Sequence, residues 1–267
     1  MLLPTWTPGA LSSEAKPRSG TAWRVVEAQN RVSTMKLGVT LEEQVILERL
    51  IETTKPPLPA ECQGLDFLLS TPFRYDPVPP SGSRFRRAGR TPGVFYSAEA
   101  VSTAVAEVAF YHLLFYAESP DTPWPANPPE YTAFSTLYGT ERALDLTVPP
   151  FDEFSPIWTH PTSYAACQDF ADVARKAGAE VIRYTSVRDP ARGNNIALLT
   201  AKAFAETAPQ SYQTWRMSFG AHGVIALAEF PRQTLEFDPA TFQDPRLVDM
   251  CWGCRIYRSH GARTNFQ

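Results

Sequence analysis

Between Glu99 and Glu118 the sequence carries one charged side chain, Glu107, inside an otherwise apolar run that includes Ala104, Val105, Ala106, Val108, Ala109, Phe110 and Tyr111. The short apolar segment VFYS (94–97) precedes it, so the pattern predicts a strand leading into a helix. Helical spacing groups positions 104, 107, 108 and 111, which sets Glu107 on or beside the face that the helix buries. A carboxylate placed there loses hydration and must find donors or take up a proton. Donors stand just upstream, at Arg74, Arg84, Arg86, Arg87 and Arg90, in a stretch punctuated by Gly and Pro. Two readings follow. The cluster is a structural ion-pair network, which gathers the same residue types, or a site where arginines hold an anion while the glutamate acts on a polar group beside it.

A chain of 267 residues suffices for one embellished domain or two small ones. Its 16 Phe, 10 Tyr and 6 Trp support a sizeable core. A net charge of −3 offers no basic surface for nucleic acid, whereas the local arginine cluster suits a small anionic ligand. With 25 prolines against 14 glycines, short elements joined by rigid, extended connections are expected. No stretch reaches the ~20 apolar residues that span a bilayer, and no basic-then-apolar leader opens the chain. The expectation is a cytoplasmic protein with no membrane partner. Cys62, Cys167, Cys251 and Cys254 do not form a disulfide framework. The Cys251–Cys254 pair lacks the two further ligands a zinc site needs, so reduced thiols and no metal are expected.

In chain order, residues 1–20 are expected to be a flexible or surface-hugging extension, 21–63 a helical segment packed on the main domain, and 64–267 the main domain with its C-terminal strands. WRVVEAQ (23–29) reads as a short strand or a helix start. TLEEQVILERLIETT opens with a Thr and a Glu three residues on, a capping box leading an amphipathic helix that Pro56-Pro57 stops. Pro72 and Pro77 bracket Arg74 and predict extended backbone there. Residues 81–93 read as a loop or hairpin that matches neither Walker A nor GxGxxG. Beyond them come strands over 131–138 and 142–151, a helix over 163–179, a strand–turn–strand through Asn194 and Asn195, and three closing strands. The fold class is α+β, with a mostly antiparallel sheet or split sandwich and flanking helices.

Taken together, TPFRY (71–75), GSRF (82–85), GVFYSAE (93–99), TAVAEVAFY (103–111) and SVRDPARGNNIALL (186–199) resemble the RES domain. Their order, with Tyr96 eleven residues before Glu107, is more specific than any one of them. The resemblance runs from about residue 64 to 230. It implies an ADP-ribosyltransferase-like fold with a mostly antiparallel split sheet. It also implies a toxin of a RES–Xre toxin–antitoxin pair that destroys NAD+ by phosphorolysis, releasing nicotinamide and ADP-ribose-1″-phosphate. No cofactor is implied; NAD+ is the substrate and inorganic phosphate the co-substrate. The implied partner is an Xre-like antitoxin with a toxin-binding domain, which would make any DNA contact itself. Homo-oligomerisation is left open.

Carried over by motif, Arg74 matches the family arginine and Glu107 the family glutamate, with Tyr75, Tyr96 and Arg84 as companions. Two positions compete for the family serine, Ser186 ahead of Ser163. Within this reading Glu107 hydrogen-bonds the ribose 2-hydroxyl of an oxocarbenium-like transition state. Arg74 and Arg84 hold the diphosphate, and Tyr96 or Tyr75 clamps the nicotinamide ring. Ser186 bonds the ribose or orients phosphate, whose charge Arg188 or Arg86 balances. Tyr96 reads equally as core, Ser163 as a helix cap, and Ser186, Asn194 and Asn195 as turn residues. Two other readings use the same site: an NAD glycohydrolase or a protein ADP-ribosyltransferase. Glu99, eight positions before Glu107, is poorly spaced for the second acid of a transferase. A third alternative is an inactive NAD-binding interaction protein.

Overall fold

The structure, a computed structural model, describes residues 5–28, 40–75, 82–89, 92–248 and 252. Arg90, Pro77, Cys251 and Cys254 lie outside the described residues. The architecture is α+β, with eight strands in one mostly antiparallel sheet and helices on its faces.

Two long strands form the spine. β1 (Lys16–Glu27) pairs antiparallel with β3 (Glu130–Asp145) from Glu27↔Tyr131 through Lys16↔Ala143. The two strands expected over 131–138 and 142–151 are one, ending at Asp145. Continuous pairing with β1 keeps the backbone extended between them, with Gly139 opposite Ser19. Within the stretch expected to be a flexible or surface-hugging extension, residues 5–20 form a helix and the start of a sheet strand. Thr7 caps α1 (Pro8–Glu14) by accepting from the Ala10 N–H, and Leu11 is fully buried. Trp6 packs on Phe151 at a ring separation of 4.8 Å. The polar residues of KPRSGT hide a strand that is largely exposed along this half.

The second edge of β3 is shared, which divides the sheet. Its first residues pair with β6 (Ser211–Gly220), followed by β7 (Gly223–Ala228) and β8 (Gln233–Phe237), all antiparallel. Its last three pair with β4 (Val181–Thr185) in the sheet's one parallel pairing among the described residues. Beyond β4 come β5 (Asn194–Leu198) and β2 (Phe95–Ala98). β2 then returns to β1 at Trp23↔Ala98, so β1, β3, β4, β5 and β2 close into a ring.

Alternation along β4 and β5 distributes their side chains between two cores. Ile182, Tyr184 and Ala197 face a cluster built on α1 and α6 (Ala165–Lys176), while Val181, Ile196 and Leu198 face one that includes Leu69 and Phe73 of α3 (Phe67–Arg74). A third cluster joins α4 (Val101–Glu118) to β6 and β7. Asp66 caps α3 by accepting from the Leu68 N–H, and Pro72 lies inside that helix. Arg74 therefore ends a helix rather than sitting in extended backbone. Proline's fixed φ is itself helical, so the cap outweighs the signal of the proline pair.

The capping box opens α2 (Leu41–Thr54): Thr40 Oγ1 accepts from the Glu43 N–H, and the Glu43 carboxylate accepts from the Thr40 N–H. Yet its Val45, Ile46 and Leu50 are exposed. Two short helices, α5 (Ser155–Trp158) and α7 (Pro245–Val248), complete the set. No helix among the described residues is long and apolar enough to cross a membrane.

Candidate active site

The four positions grouped by helical spacing on α4, Ala104, Glu107, Val108 and Tyr111, all line one cavity of about 620 Å³. Another face of α4 is packed in core, with Val105, Ala106, Ala109, Phe110 and Leu113 fully buried. So the stripe carrying the lone charge lines the cavity while this apolar face makes the core contacts. That volume is of small-molecule size.

Glu107 is held on one oxygen. Ser186 Oγ donates to its Oε1 at 2.7 Å, and Asn195 Nδ2 donates to the same atom at 2.6 Å. Oε2 accepts no hydrogen bond among the described residues. Ser186 sits at the end of β4, completely buried, with its Oγ accepting from the Arg188 and Asp189 N–H groups. Its single proton is thus left for Glu107. The loop after Ser186 is clamped on α4 through Thr103 Oγ1, which donates to Asp189 Oδ2 at 2.7 Å. Gly193 is required where that loop meets the helix, since a Cβ there would lie 2.2 Å from Thr103 Oγ1.

Positive charge surrounds the carboxylate. Arg24, from β1, donates to the Tyr96 carbonyl at 2.7 Å and lies over the Phe95 ring. Burial lowers its pKa to about 10, so it stays cationic at neutral pH. Arg84 is buried in the turn after Gly82. It donates to the carbonyls of Trp158 and His160 and stacks over Tyr164 at 4.7 Å. Neither Arg24 nor Arg84 has a carboxylate partner among the described residues. Arg188 is different: almost fully buried, it pairs with Asp244 at 2.7 Å and lies 3.7 Å over the Phe110 ring. Asp244 also pairs with Arg246 at 2.9 Å. Two uncompensated, partly desolvated guanidiniums facing one cavity suit an anionic ligand, since a buried charge without a partner is costly.

Tyr96 presents its ring to the cavity from β2, because its hydroxyl is tied down: it accepts from the Phe85 N–H and pairs with Ser83 Oγ, each at 2.9 Å. Burial raises the Tyr96 pKa more than these bonds lower it, so the phenol is neutral. Tyr184 is raised further, again chiefly by burial.

Of the residues expected at the site, the structure brings Glu107, Arg84, Tyr96 and Arg188 to the cavity wall, with Ser186 directly behind Glu107. Arg74 and Tyr75 are elsewhere. The Arg74 guanidinium donates to Glu52 and to the Pro56 carbonyl, each at 2.6 Å, because α3 aims it at α2. Tyr75 is exposed, and its carbonyl accepts from Arg86. Ser163 is exposed and its N–H donates to His160 Nδ1. Arg87 pairs with Asp169 and Asp172 on α6. Glu99 is engaged by Arg183, at 2.7 and 2.9 Å, and does not line the cavity.

Sequence reasoning missed Arg24 and Asn195. The signal for Arg24 was the one that found Glu107: a single charge inside an apolar segment, here AWRVV. Asn195 opens the apolar strand NNIAL, where it reads as turn chemistry.

Beside the closed ring of strands, Glu107 and the arginines Arg24, Arg84, Arg188 and Arg246 line one cavity, an arrangement suited to a small anionic compound. The chain belongs to the RES domain family, whose model matches residues 58–220, more than half its length. A comparison with curated proteins gave no match. Among solved structures the chain is similar to the M. tuberculosis MbcT–MbcA toxin–antitoxin complex, with 14% identity and a TM-score of 0.41 over 88% of this chain and 96% of that one.

Proposed function

We propose that this chain is a RES toxin that degrades NAD+ by phosphorolysis. Family membership supports the substrate class, and one observation carries the chemistry: Glu107, held through Oε1, keeps Oε2 free in a cavity walled by two arginines that lack acidic partners. In this reading Arg24 and Arg84 bind the diphosphate through charge-assisted hydrogen bonds. Oε2 accepts from the ribose 2-hydroxyl and offsets the positive charge that develops at the anomeric carbon. The carbon–nitrogen bond breaks with its electron pair going to the pyridinium ring, so nicotinamide leaves neutral. A phosphate oxygen forms the new bond to that carbon. The faces of Tyr96 and Tyr184 exclude water beside the ring.

Arg24 takes the role that the motif assigned to Arg74. Glu99, bound to Arg183, is not free to activate a protein acceptor, which favours phosphate over protein ADP-ribosylation. A toxin of this kind would be restrained by an Xre-like antitoxin whose toxin-binding domain covers the cavity.

The test is nicotinamide release from NAD+ by purified protein, with and without phosphate. Phosphate-dependent release, lost in Glu107→Gln by on the order of 10²–10³-fold, is expected. Release independent of phosphate would make the protein a glycohydrolase, and label transferred to protein would make it a transferase. A folded, antitoxin-free chain that released nothing would overturn the proposal.

A further inference from the structure

Among the described cavity-lining residues, Asn195 alone has a buried polar side-chain atom with no partner. Its residue is 3% exposed, Nδ2 donates to Glu107 Oε1 at 2.6 Å, and Oδ1 is buried without a hydrogen bond. Turning the amide over would not help. It would set Oδ1 against the carboxylate and move the unsatisfied place to Nδ2. An orphaned buried acceptor is destabilising, so a stability role does not account for this side chain. A leucine, branched at the same carbon, would carry no polar atom to leave unpaired.

Oε1 receives two donated protons, one from Asn195 and one from Ser186, arriving from β5 and from the end of β4. With that oxygen saturated, the carboxylate cannot rotate without losing both bonds, and Oε2 is the atom left for chemistry. We infer that Asn195 is a positioning residue for Glu107, fixing the orientation in which one carboxylate oxygen is bound and the other faces the cavity. The inference rests on the proposed role of Glu107, and its test is built to separate the two.

Other charged groups at the cavity do not share this function. Arg24, Arg84, Arg188 and Arg246 supply positive charge. The phenols of Tyr96 and Tyr184, raised by burial, stay neutral; Tyr111 and Tyr164 are the remaining phenols on the wall. The one further lining carboxylate is Glu118, the last residue of α4, three turns on from Glu107.

Asn195→Asp is the discriminating variant because it is isosteric. With one proton on the new carboxyl, an O–H replaces the amide N–H as donor to Oε1 and the geometry is kept. Loss of that proton sets two carboxylates in contact, a state that cannot persist unperturbed. Nicotinamide release by Asn195→Asp should therefore acquire a loss with rising pH that the wild-type protein does not show. Asn195→Leu should lose about 10- to 100-fold in kcat at every pH, with KM changed little. Both variants should melt cooperatively, and if Asn195→Leu does not fold, the isosteric variant carries the test. In parallel, carboxyl-carbon NMR of protein labelled at Glu and Asp, with Glu107→Gln to assign the signal, should show the Asn195→Asp pair titrating in two well-separated steps.

Variants whose pH profiles superimpose on the wild type, with the two carboxyls titrating independently, would overturn the inference while leaving the proposed function intact. If the wild-type chain releases no nicotinamide, the proposed function falls, and the carboxyl titration still decides whether Asn195 is coupled to Glu107.

Discussion

At the residue scale, the clearest contrast is between Arg24 and Arg74. Both are arginines inside apolar segments, but Arg24 lines the cavity and Arg74 is bound to Glu52 and Pro56. Losing a charge-assisted bond to a ligand costs about 1.5–3 kcal/mol, so Arg24→Ala should lower kcat/KM for NAD+ by about 10- to 100-fold. Arg74→Ala should leave it within about twofold, since its ion pair is made with a half-exposed partner. Steady-state kinetics on both variants decides between the motif and the geometry. A second residue-scale prediction concerns Asp244. Burial pushes its pKa up, but hydrogen bonds from Arg246 and the charges of Arg188 and Arg246 more than offset this, leaving it below the usual value. A depressed carboxylate contributes stability that is fully present above its unfolded pKa, about 4, and is lost as pH falls through the lower folded value. Asp244→Asn should thus flatten the decline in melting temperature on the acid side and destabilise the protein at neutral pH, where Arg188 is left buried and unpaired.

At the element scale, much of the site was legible. The helix containing Glu107, the strand before it and the turn around Arg84 all follow local rules: a 3.6-residue period, a short apolar run, and glycines such as Gly82, where a Cβ would lie 2.2 Å from the Arg86 carbonyl. What local rules could not show was the use of each face. The 104/107/108/111 stripe lines a cavity rather than lying wholly against a core. On α2 the period is equally clear, yet Val45, Ile46 and Leu50 are exposed. Replacing these three with Gln should change folding stability by no more than about 0.5 kcal/mol each, whereas Leu11→Ala in α1 should cost about 2–5 kcal/mol. Chemical denaturation of the variants measures both. Gly193→Ala should cost about 1–3 kcal/mol by overpacking against Thr103 and Asp189. It should also lower activity by shifting the loop that carries Ser186.

At the scale of the whole molecule, the cavity is assembled from parts far apart in sequence: β1 supplies Arg24, α4 Glu107, β5 Asn195, and the chain beyond β8 Arg246, with Asp244 behind it pairing Arg188. The family-matched span, 58–220, contains neither β1 nor the Asp244 segment. A fragment of that span would expose the edge of β3 from Tyr131 to Ala143 and leave Arg188 unpaired. It should show no cooperative melting transition and no nicotinamide release, both read directly on the purified fragment.

By itself the sequence determined the α+β class, the helix around Glu107, the capping box of α2, and the place of Glu107, Tyr96 and Arg84 at one cavity. Each rests on local stretches of sequence, through periodicity, caps, turns and short motifs. Only the tertiary structure decided which arginines share the cavity with Glu107, that residues 5–20 are part of the fold, and that Ser186 and Asn195 act on the carboxylate from behind it. These depend on contacts between residues about 75 to 130 positions apart. Tyr131 to Ala143 on β1, and Ala98 on Trp23, have no local signature, because strand register is set by the partner rather than by the strand.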